Sequence, residues 1–495
     1  MTPASTQLIL GADLSALAAA FRRDGYTDAA CDEVQSLTRA LGLPPPDVTL
    51  RALNAPPPLR AHVALWALGL PVSHTELAAV LGEPLVEQLA GLGILKRDAA
   101  GLRAEFSIIP SDGFLTTRDF DAVLTGKPAG DDYVLGIGPS TRRLAALMVP
   151  ARGGITLDLG TGQGFLALTT SQWSSRVIAT DVNRRALSAA ALSANISGRT
   201  NIEFREGSFF EPVADLRGLC NLILCNPPFV IQPSGDRVCF TGTQRGDRCI
   251  QHLVEEGPSF LAPGGWLCVL GNWTHTDESD WADTPMQWAR GRRCDVWIIR
   301  RQSWSPRAYA QSWIDELTRN GASADRPPVL DEWLAYYESL GIRRITMGAV
   351  VMHRREGENW ARFDTLFTDS AGDAGPQVAQ LFENQTAIND LTPERLLERT
   401  LLPVAGLEID LRHRFGEQGF APASITLRNT TGFPMPLSVQ LGALEVVRRL
   451  DTAHTLGQIA TEVAQAHGGD PASLAPGIAS LGMELLRLGH ARLAD

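Results

Sequence analysis

The sequence lacks the features that mark membrane-spanning and secreted proteins. No run of about eighteen apolar residues occurs in its 495 residues, so we expect no membrane span. The first residues, Met1-Thr-Pro-Ala-Ser5, have neither the basic start nor the apolar stretch of a secretory signal. We therefore expect a cytoplasmic protein with no membrane partner.

Cysteine and histidine are few and scattered. The seven cysteines include no Cys-x-x-Cys pair, and none of the nine histidines stands at metal-ligand spacing from a cysteine. Cys220 and Cys225 flank a predicted buried strand, which is typical of small core residues. The pattern predicts reduced thiols and no metal site.

Positive charge is also in short supply. Lysine and arginine number 44 against 55 acidic residues, which gives a net charge of −11. Proteins that bind nucleic acid usually present a basic surface, because phosphate contacts supply most of the affinity. The charge balance therefore argues against a duplex or long-RNA substrate, although a local basic patch would be enough to bind one.

The length predicts about two to four domains, and the pattern of elements divides the chain into three. Residues 1–130 have helical spacing followed by a hairpin with its turn near Asp98–Gly101, a winged-helix-like order. Its candidate reading helix, Pro84–Ala90, has no lysine or arginine, which disfavours DNA binding. Residues 131–374 alternate strands and helices, with a helical insertion at about 303–342. Residues 375–495 predict a second winged-helix-like domain.

A strand, a glycine-rich turn and a helix follow one another in the middle domain. The apolar run Ile155–Leu159 predicts a buried strand, the turn is Gly160-Thr161-Gly162-Gln-Gly164, and a helix is predicted over Phe165–Thr170. This order is typical of the nucleotide-binding corner of doubly wound α/β folds. Glycines let the backbone approach a ligand closely.

Two acids stand at the ends of neighbouring predicted strands. Asp158 lies inside the end of the first strand, and Asp181 closes the next, Arg176–Asp181. A carboxylate at the second position suits the two hydroxyls of a ribose. The pair turns a weak glycine signal into a specific one.

The most specific motif is Asn226-Pro227-Pro228-Phe229, which follows the predicted strand Asn221–Cys225. The carboxyl ends of strands are where ligands bind in open α/β sheets. An asparagine oxygen and a backbone carbonyl can accept the two N–H bonds of a planar NH2 group, which positions its nitrogen for attack. The prolines fix the carbonyl direction, and the aromatic ring offers a flat face to the substrate.

These motifs together resemble the class I S-adenosylmethionine (SAM)-dependent methyltransferases, in the branch with an Asn-Pro-Pro-(Phe/Tyr) motif. That branch includes release-factor glutamine, rRNA guanine-N2 and DNA adenine-N6 methyltransferases. The resemblance covers about Val134–Arg354 and implies an α/β fold with a Rossmann-like, seven-stranded core. The three-part layout is similar to that of several actinobacterial-type methyltransferases of unknown substrate.

The resemblance implies SAM as the cofactor. Asp158 would meet the methionine ammonium, Asp181 the ribose hydroxyls and Val182 the adenine. Many relatives carry an aspartate at the position of Ser208, so here the hydroxyl or backbone of Ser208 would replace it, with Phe209 stacking on the ring. The implied cofactor-binding residues are Asp158, Gly160, Thr161, Gly162, Gly164, Asp181, Val182, Ser208, Phe209 and Asn226.

The implied catalytic residues are Asn226, Pro227, Pro228 and Phe229, and Phe229, Asn272 and Trp273 are candidates for the substrate pocket. We expect an N-methyltransferase acting on a planar amide or exocyclic amine of a protein, peptide or natural product. The alternatives are a base-amine methyltransferase of rRNA, tRNA or DNA, and a SAM-binding scaffold without turnover. The acceptor, N- versus O-methylation and a homodimer through the terminal domains stay open.

Overall fold

A computed structural model describes residues 3–43, 45–121, 130, 132–233, 247–276, 280–319, 329–416 and 419–494. They form two compact units: Met1–Leu144 with Ala151–Thr365, and Ala145–Pro150 with Leu366–Asp495. The three-domain division at residues 130 and 374 stays a prediction. Among the helices described, none combines the length and the apolar character needed to cross a bilayer.

The first unit begins with helices and two hairpins. The helices are α1 (Pro3–Gly11), α2 (Ser15–Arg23), α3 (Asp28–Ala40), α4 (Pro46–Ala52), α5 (Pro57–His62), α6 (His74–Leu81) and α7 (Glu83–Gly91). The paired strands are β1 (Leu95–Asp98) with β2 (Gly101–Ala104), and β3 (Ser107–Ser111) with β4 (Phe114–Arg118). The first hairpin confirms the turn expected at Asp98–Gly101, whereas the second was not predicted.

An eight-stranded mixed sheet organises the rest of this unit. Its strands are β5 (Ile155–Leu159), β6 (Arg176–Asp181), β7 (Ile202–Glu206), β8 (Cys220–Cys225), β9 (Leu261–His275), β10 (Cys294–Trp304), β11 (Arg344–Arg354) and β12 (Ala361–Thr365). The strand order is β12-β10-β11-β9-β8-β5-β6-β7. Strands β5 to β9 pair in parallel, and β11 runs antiparallel to both β9 and β10. The expected Rossmann-like sheet is confirmed, and β12 is an eighth strand beyond the seven expected.

Seven helices connect or flank these strands in the described part of the chain. They are α8 (Pro139–Leu147), α9 (Phe165–Thr170), α10 (Arg184–Ile196), α11 (Arg248–Glu256), α12 (Asp283–Ala289), α13 (Pro306–Arg319) and α14 (Leu330–Ser339). The last two lie within residues 303–342, where the insertion is expected, and the insertion as a domain feature stays a prediction. Tyr309, Trp333 and Tyr337 on these helices are buried.

Helix α10 joins the front helices to the sheet. It is buried on nearly every side, and its residues share one apolar core with Ile9 and Phe21. The Asn195 side chain also donates to the carbonyl oxygens of Ile9, at 2.7 Å, and Ala12, at 2.8 Å. A helix that is apolar all round needs cover on all sides, and the front helices supply the side that the sheet leaves free.

The second unit is built from helices and a small sheet. Its helices are α15 (Gly375–Asp390), α16 (Pro393–Leu397), α17 (Leu441–Val447), α18 (Leu456–His467) and α19 (Pro471–Arg487). Its strands are β13 (Leu401–Pro403), β14 (Leu407–Gly416), β15 (Gly419–Asn429), β16 (Leu437–Val439) and β17 (Ala491–Leu493). Strands β14, β15 and β16 form one sheet in that order, and β13 pairs with β17.

Candidate active site

The glycine turn after β5 has a backbone that only glycine adopts readily. Gly160, Gly162 and Gly164 have φ values of 65°, 56° and 89°. A Cβ at Gly164 would lie 2.9 Å from the Cβ of Ala190, so close packing also requires glycine there. A Cβ at Gly160 or Gly162 would meet no atom within 4 Å. The space beside the first two glycines is therefore open to a ligand.

Asp158 is fully buried beneath this turn and is only half satisfied. Its Oδ2 accepts a hydrogen bond from the Thr161 hydroxyl at 2.6 Å, whereas its Oδ1 has no hydrogen-bond partner among the described residues. Burial, with a smaller contribution from the negative charge of Asp181, raises the pKa of Asp158 to about 7, and the Thr161 hydroxyl and the nearby Ala167 amide oppose the rise. A buried carboxyl oxygen without a well-directed hydrogen bond is rare and is available to a cationic or N–H partner.

Asp181 stands at the tip of β6 with both oxygens already oriented. Oδ2 accepts from the Gly162 amide at 2.9 Å, and Oδ1 accepts from the Asn183 amide at 2.8 Å. Burial raises the pKa of Asp181, and these amides oppose the rise. Each oxygen retains a lone pair for a hydroxyl donor. The next residue, Val182, exposes 48% of its surface, although it is apolar.

The loop after β7 brings Ser208 and Phe209 to the same strand tip. The Gly207 amide donates to the Asp181 carbonyl oxygen at 3.1 Å, which fixes the loop beside β6. Both Ser208 and Phe209 are half-buried. Phe209 has a φ of 46°, an unusual value for a bulky residue, and its ring meets His252 edge-on at 5.0 Å. The strained backbone thus holds an aromatic ring next to the Asp181 corner.

Asn226 follows β8, beside the glycine turn, because Cys225 is the sheet partner of Leu159. Its amide nitrogen donates to the hydroxyl oxygens of Ser140 and Thr141, each at 3.2 Å. Its Oδ1 is buried and has no hydrogen-bond partner among the described residues. The two hydroxyls therefore fix the amide with a free acceptor oxygen.

The rest of the motif, Pro227–Phe229, is held by hydrogen bonds and packing from neighbouring elements. Asn272 donates to the Phe229 carbonyl oxygen at 2.9 Å and to the Tyr309 hydroxyl at 2.6 Å. Pro227 is buried, and Pro228 and Phe229 are half-buried. The Phe229 ring lies 6.0 Å from the Trp313 ring at an angle of 66°. The motif therefore has a fixed backbone and a partly accessible aromatic face.

The two candidates on β9 have side chains inside the protein. Asn272 is buried and makes the hydrogen bonds just described. Trp273 is fully buried, and its indole N–H donates to the Trp281 carbonyl oxygen at 2.7 Å. Neighbouring residues of a strand point to opposite faces of the sheet, so these two side chains cannot line one pocket. Their substrate contact stays a prediction, and the packing favours support of the site for both.

Sequence reasoning missed the roles of four hydroxyl groups. Ser140 and Thr141, in the first turn of α8, both accept hydrogen bonds from the Asn226 amide. The Tyr309 hydroxyl accepts from the Ile231 amide at 3.1 Å, and the Tyr337 hydroxyl donates to the Ile231 carbonyl oxygen at 2.7 Å. The available signal was the hydroxyl content of the lead-in helix and of the aromatic insertion.

The segment after the motif is only partly described. The sequence of this segment has three arginines that either bind an acidic substrate or, as we favour, are solvated. Arg237 and Arg245 lie outside the described residues, and Arg248 begins α11. Asp247 is the N-cap residue of α11, which ends at Glu256, but its side chain makes no capping hydrogen bond. Its Oδ2 instead accepts from the amide and hydroxyl of Thr274, both at 2.8 Å.

One group of metal-capable side chains occurs within the described ranges, on α6 and α7 and not at the strand tips. The ligand atoms of His74, Glu83 and Glu87 lie within 4.8 Å of one another. His74 Nε2 is 3.2 Å from the Glu83 carboxylate, and both glutamates are exposed. Exposed acidic groups of this kind are common without a metal ion, and the absence of a metal site stays a prediction.

The middle of the chain is similar to known methyltransferases. Residues 136–280 match the family described as methyltransferase small domain. The release factor glutamine methyltransferase of Aliivibrio fischeri is 32% identical, over 26% of this chain and 51% of the relative. The enzyme of the same name from Deinococcus radiodurans is 37% identical, over 23% of this chain and 44% of the relative. The chain thus spans about half the length of the curated relatives it matches.

A solved structure, the YcgJ protein of Bacillus subtilis, overlaps 42% of this chain and 95% of its own, at 16% identity and a TM-score of 0.28, a likeness too low to add weight. The family match spans the glycine turn, the paired aspartates and the Asn226 corner. These findings support the resemblance of residues 136–280 to the Asn-Pro-Pro-(Phe/Tyr) branch of the class I SAM-dependent methyltransferases.

Proposed function

We propose that this protein is a SAM-dependent N-methyltransferase whose acceptor is the planar amide of a protein or peptide, with a glutamine side chain the best-supported class. The observation that carries the proposal is the Asn226 amide, whose nitrogen is anchored while its buried oxygen is free. The matched relatives are named for glutamine methylation of a release factor. An exocyclic amine or a natural product with the same NH2 geometry fits the same corner.

The residues present fit SAM. The free Oδ1 of Asp158 matches the ammonium of its amino acid end, and the open space beside Gly160 and Gly162 admits the chain of the cofactor. Asp181 has spare lone pairs for the ribose hydroxyls, and exposed Val182 offers an apolar surface to adenine. Bound there, SAM supplies an electrophilic methyl group on a sulfonium.

The motif residues prepare the acceptor nitrogen. Asn226 Oδ1 accepts one N–H of the NH2 group, and the Pro227 carbonyl accepts the other. An amide delocalises its lone pair, and these two bonds favour the pyramidal nitrogen that attacks in line. Phe229 lies against the planar acceptor. No strong base is needed, because the nitrogen loses its proton readily once it carries the methyl group.

The competing functions have weaker support. A base-amine methyltransferase would use the same corner, but the net charge of −11 opposes binding to a phosphate backbone. A scaffold without turnover would have no use for an anchored Asn226 with a free oxygen.

The proposal also includes a cellular location and a fold type for the flanking parts of the chain. A cytoplasmic location is supported by the buried, reduced cysteine thiols of the described chain. The winged-helix-like description of the flanking parts is supported at the front by the order of α6, α7, β1 and β2.

The test is label transfer. Purified full-length protein is incubated with cell extract and isotopically labelled SAM, and protein digests, nucleosides and small molecules are analysed by mass spectrometry. We expect label on an amide nitrogen of one or a few proteins, absent with the Asn226→Ala variant. Label in nucleosides would replace the proposal with the base-amine alternative. If the protein binds SAM but no fraction becomes labelled, the SAM-binding scaffold without turnover would replace the proposal.

A further inference from the structure

Strand β14 of the second unit has an unpaired edge. In its sheet the order is β14-β15-β16, so one side of β14 has no neighbouring strand within the described chain. β16 supports β15 only over Ile425–Leu427, whereas β14 and β15 continue together as far as Gly416 and Gly419. The two strands thus form an arm, and alternate residues of the ten-residue β14 direct their backbone N–H and C=O groups to its free edge.

One face of this arm is apolar and exposed. Ile409, Leu411 and Phe415 expose 36%, 49% and 72% of their surfaces. Phe420, the register partner of Phe415, exposes 75%, and the two rings meet edge to face at 5.2 Å. The same face continues inward to Leu427, which is fully buried. A row of apolar side chains that runs from the core into solvent indicates a surface that another chain covers.

The other face carries an ordered row of charges. Glu408 and Asp410 come first, and both pair with Arg428 of β15, at 3.1 Å and 2.8 Å, while remaining about half exposed. Arg412 and Arg414 follow, both exposed, and neither forms an ion pair with another described residue. The acids thus occupy the first half of the strand and the free cations the second half.

This order makes β14 complementary to a second copy of itself. In an antiparallel pair with a two-fold axis at Leu411, Glu408 faces the partner's Arg414, and Asp410 faces the partner's Arg412. On the apolar face Leu411 meets the partner's Leu411, Ile409 the partner's His413, and Leu407 the partner's Phe415. Directly opposite side chains on one face have Cβ atoms about 5 Å apart, which suits both sets of contacts.

No neighbouring register has this property. A shift of the axis by one residue sets Asp410 or Arg412 against its own copy. A shift by two sets Glu408 against the partner's Asp410, or Arg412 against the partner's Arg414. Like charges directly opposite each other destabilise a strand pair, so the charges select the axis at Leu411.

We propose that two copies of this chain associate through the free edge of β14, antiparallel and centred on Leu411. The two three-stranded sheets become one six-stranded sheet, and the symmetry is the two-fold symmetry that self-complementary surfaces generate. The occupant is a second copy because the charge order matches itself. This inference is independent of the proposed catalytic function.

The test uses the full-length chain and its mass in solution. Light scattering and sedimentation over roughly 1 to 100 µM should give a species of twice the 53.4 kDa chain mass. The acidic variant Arg412→Glu/Arg414→Glu should dissociate at least about a hundredfold more readily, because four cross-strand pairs become repulsive. The basic variant Glu408→Arg/Asp410→Arg/Arg428→Glu, which keeps the pairing with residue 428 with its signs reversed, should also be monomeric.

Mixing these two variants distinguishes a lost interface from a damaged fold. Each acid of one then faces an arginine of the other, so an equimolar mixture should form a heterodimer although neither variant forms a homodimer. The control Arg395→Glu/Arg448→Glu reverses two exposed arginines on helices of the same unit and should remain dimeric. A monomeric wild-type chain, a dimeric acidic variant, or a monomeric mixture of two folded variants would each overturn the proposal.

Discussion

The corner proposed to hold the cofactor, around Asp158 and Asp181, and the corner proposed to hold the acceptor, around Asn226, are built in different ways. Around Asp158 and Asp181 the key contacts are local: Thr161 bonds Asp158, and Gly162 bonds Asp181 across a single strand pair. Asn226 is instead held by Ser140, 86 residues earlier in the chain. The first corner is a product of short-range backbone geometry, and the second depends on long-range packing of side chains.

The difference has a functional consequence. A corner made from a turn and two strand ends can recur in many proteins with one cofactor. A corner set by distant hydroxyls can change its acceptor while the cofactor site stays constant. The following experiments substitute residues of one corner at a time, and they are given from the largest expected effect to the smallest.

Asn226→Ala should lower turnover by about a thousandfold or more, since it removes the oxygen that orients the acceptor nitrogen. SAM affinity, measured by calorimetry, should change by less than about threefold, because the carboxylates of the other corner are untouched. The matched control is Asn389→Ala, an exposed asparagine of the second unit. Retained turnover would contradict the role of Asn226.

Asp158→Asn should weaken SAM binding by about a hundredfold, because an amide cannot neutralise the ammonium. It should also stabilise the cofactor-free protein. Burial raises the pKa of Asp158 to about 7, so the folded state binds this proton more tightly than the unfolded state and loses stability as pH rises from about 4 to 7. Denaturant unfolding at pH 8 should give a free energy of unfolding higher by about 1–3 kcal/mol for the variant. A variant that is less stable at pH 8 would contradict the raised pKa.

The same group predicts a pH dependence of cofactor affinity. SAM should bind the wild-type protein more weakly as pH falls through about 7, since the carboxylate needed by the ammonium becomes protonated. Calorimetric titrations between roughly pH 5.5 and 8 should show a fall that the Asp158→Asn variant lacks. If the SAM affinity of the wild-type protein does not change with pH, the SAM ammonium binds a group other than Asp158.

The double variant Ser140→Ala/Thr141→Val should lower kcat by about tenfold and leave SAM affinity within about twofold. It removes two neutral hydrogen bonds that orient the Asn226 amide but keeps the amide itself. Single variants should show intermediate losses. If the double variant lowers only SAM affinity and leaves kcat unchanged, these hydroxyls contribute to cofactor binding and not to acceptor positioning.

Much of the cofactor corner could be predicted from the sequence because its signals are local. The strands Ile155–Leu159 and Arg176–Asp181 have the predicted bounds, since buried aliphatic runs end at residues that break or leave a sheet. The acceptor corner could be predicted only for the motif itself. The hydroxyl anchors of Asn226 and the inward direction of Trp273 depend on which distant elements pack together, and no local pattern encodes that.

Helix α10 has a practical consequence for anyone who wishes to shorten the protein. It begins at Arg184, three residues after Asp181, and the Thr117 amide of the second hairpin donates to its Ser193 hydroxyl at 2.8 Å. A fragment starting near residue 131 would expose one apolar side of the alanine-rich α10 to solvent. This exposure would destabilise the backbone that positions the Asp181 carboxylate. The smallest active piece must carry the front helices, so natural variation in them is expected to tune cofactor retention.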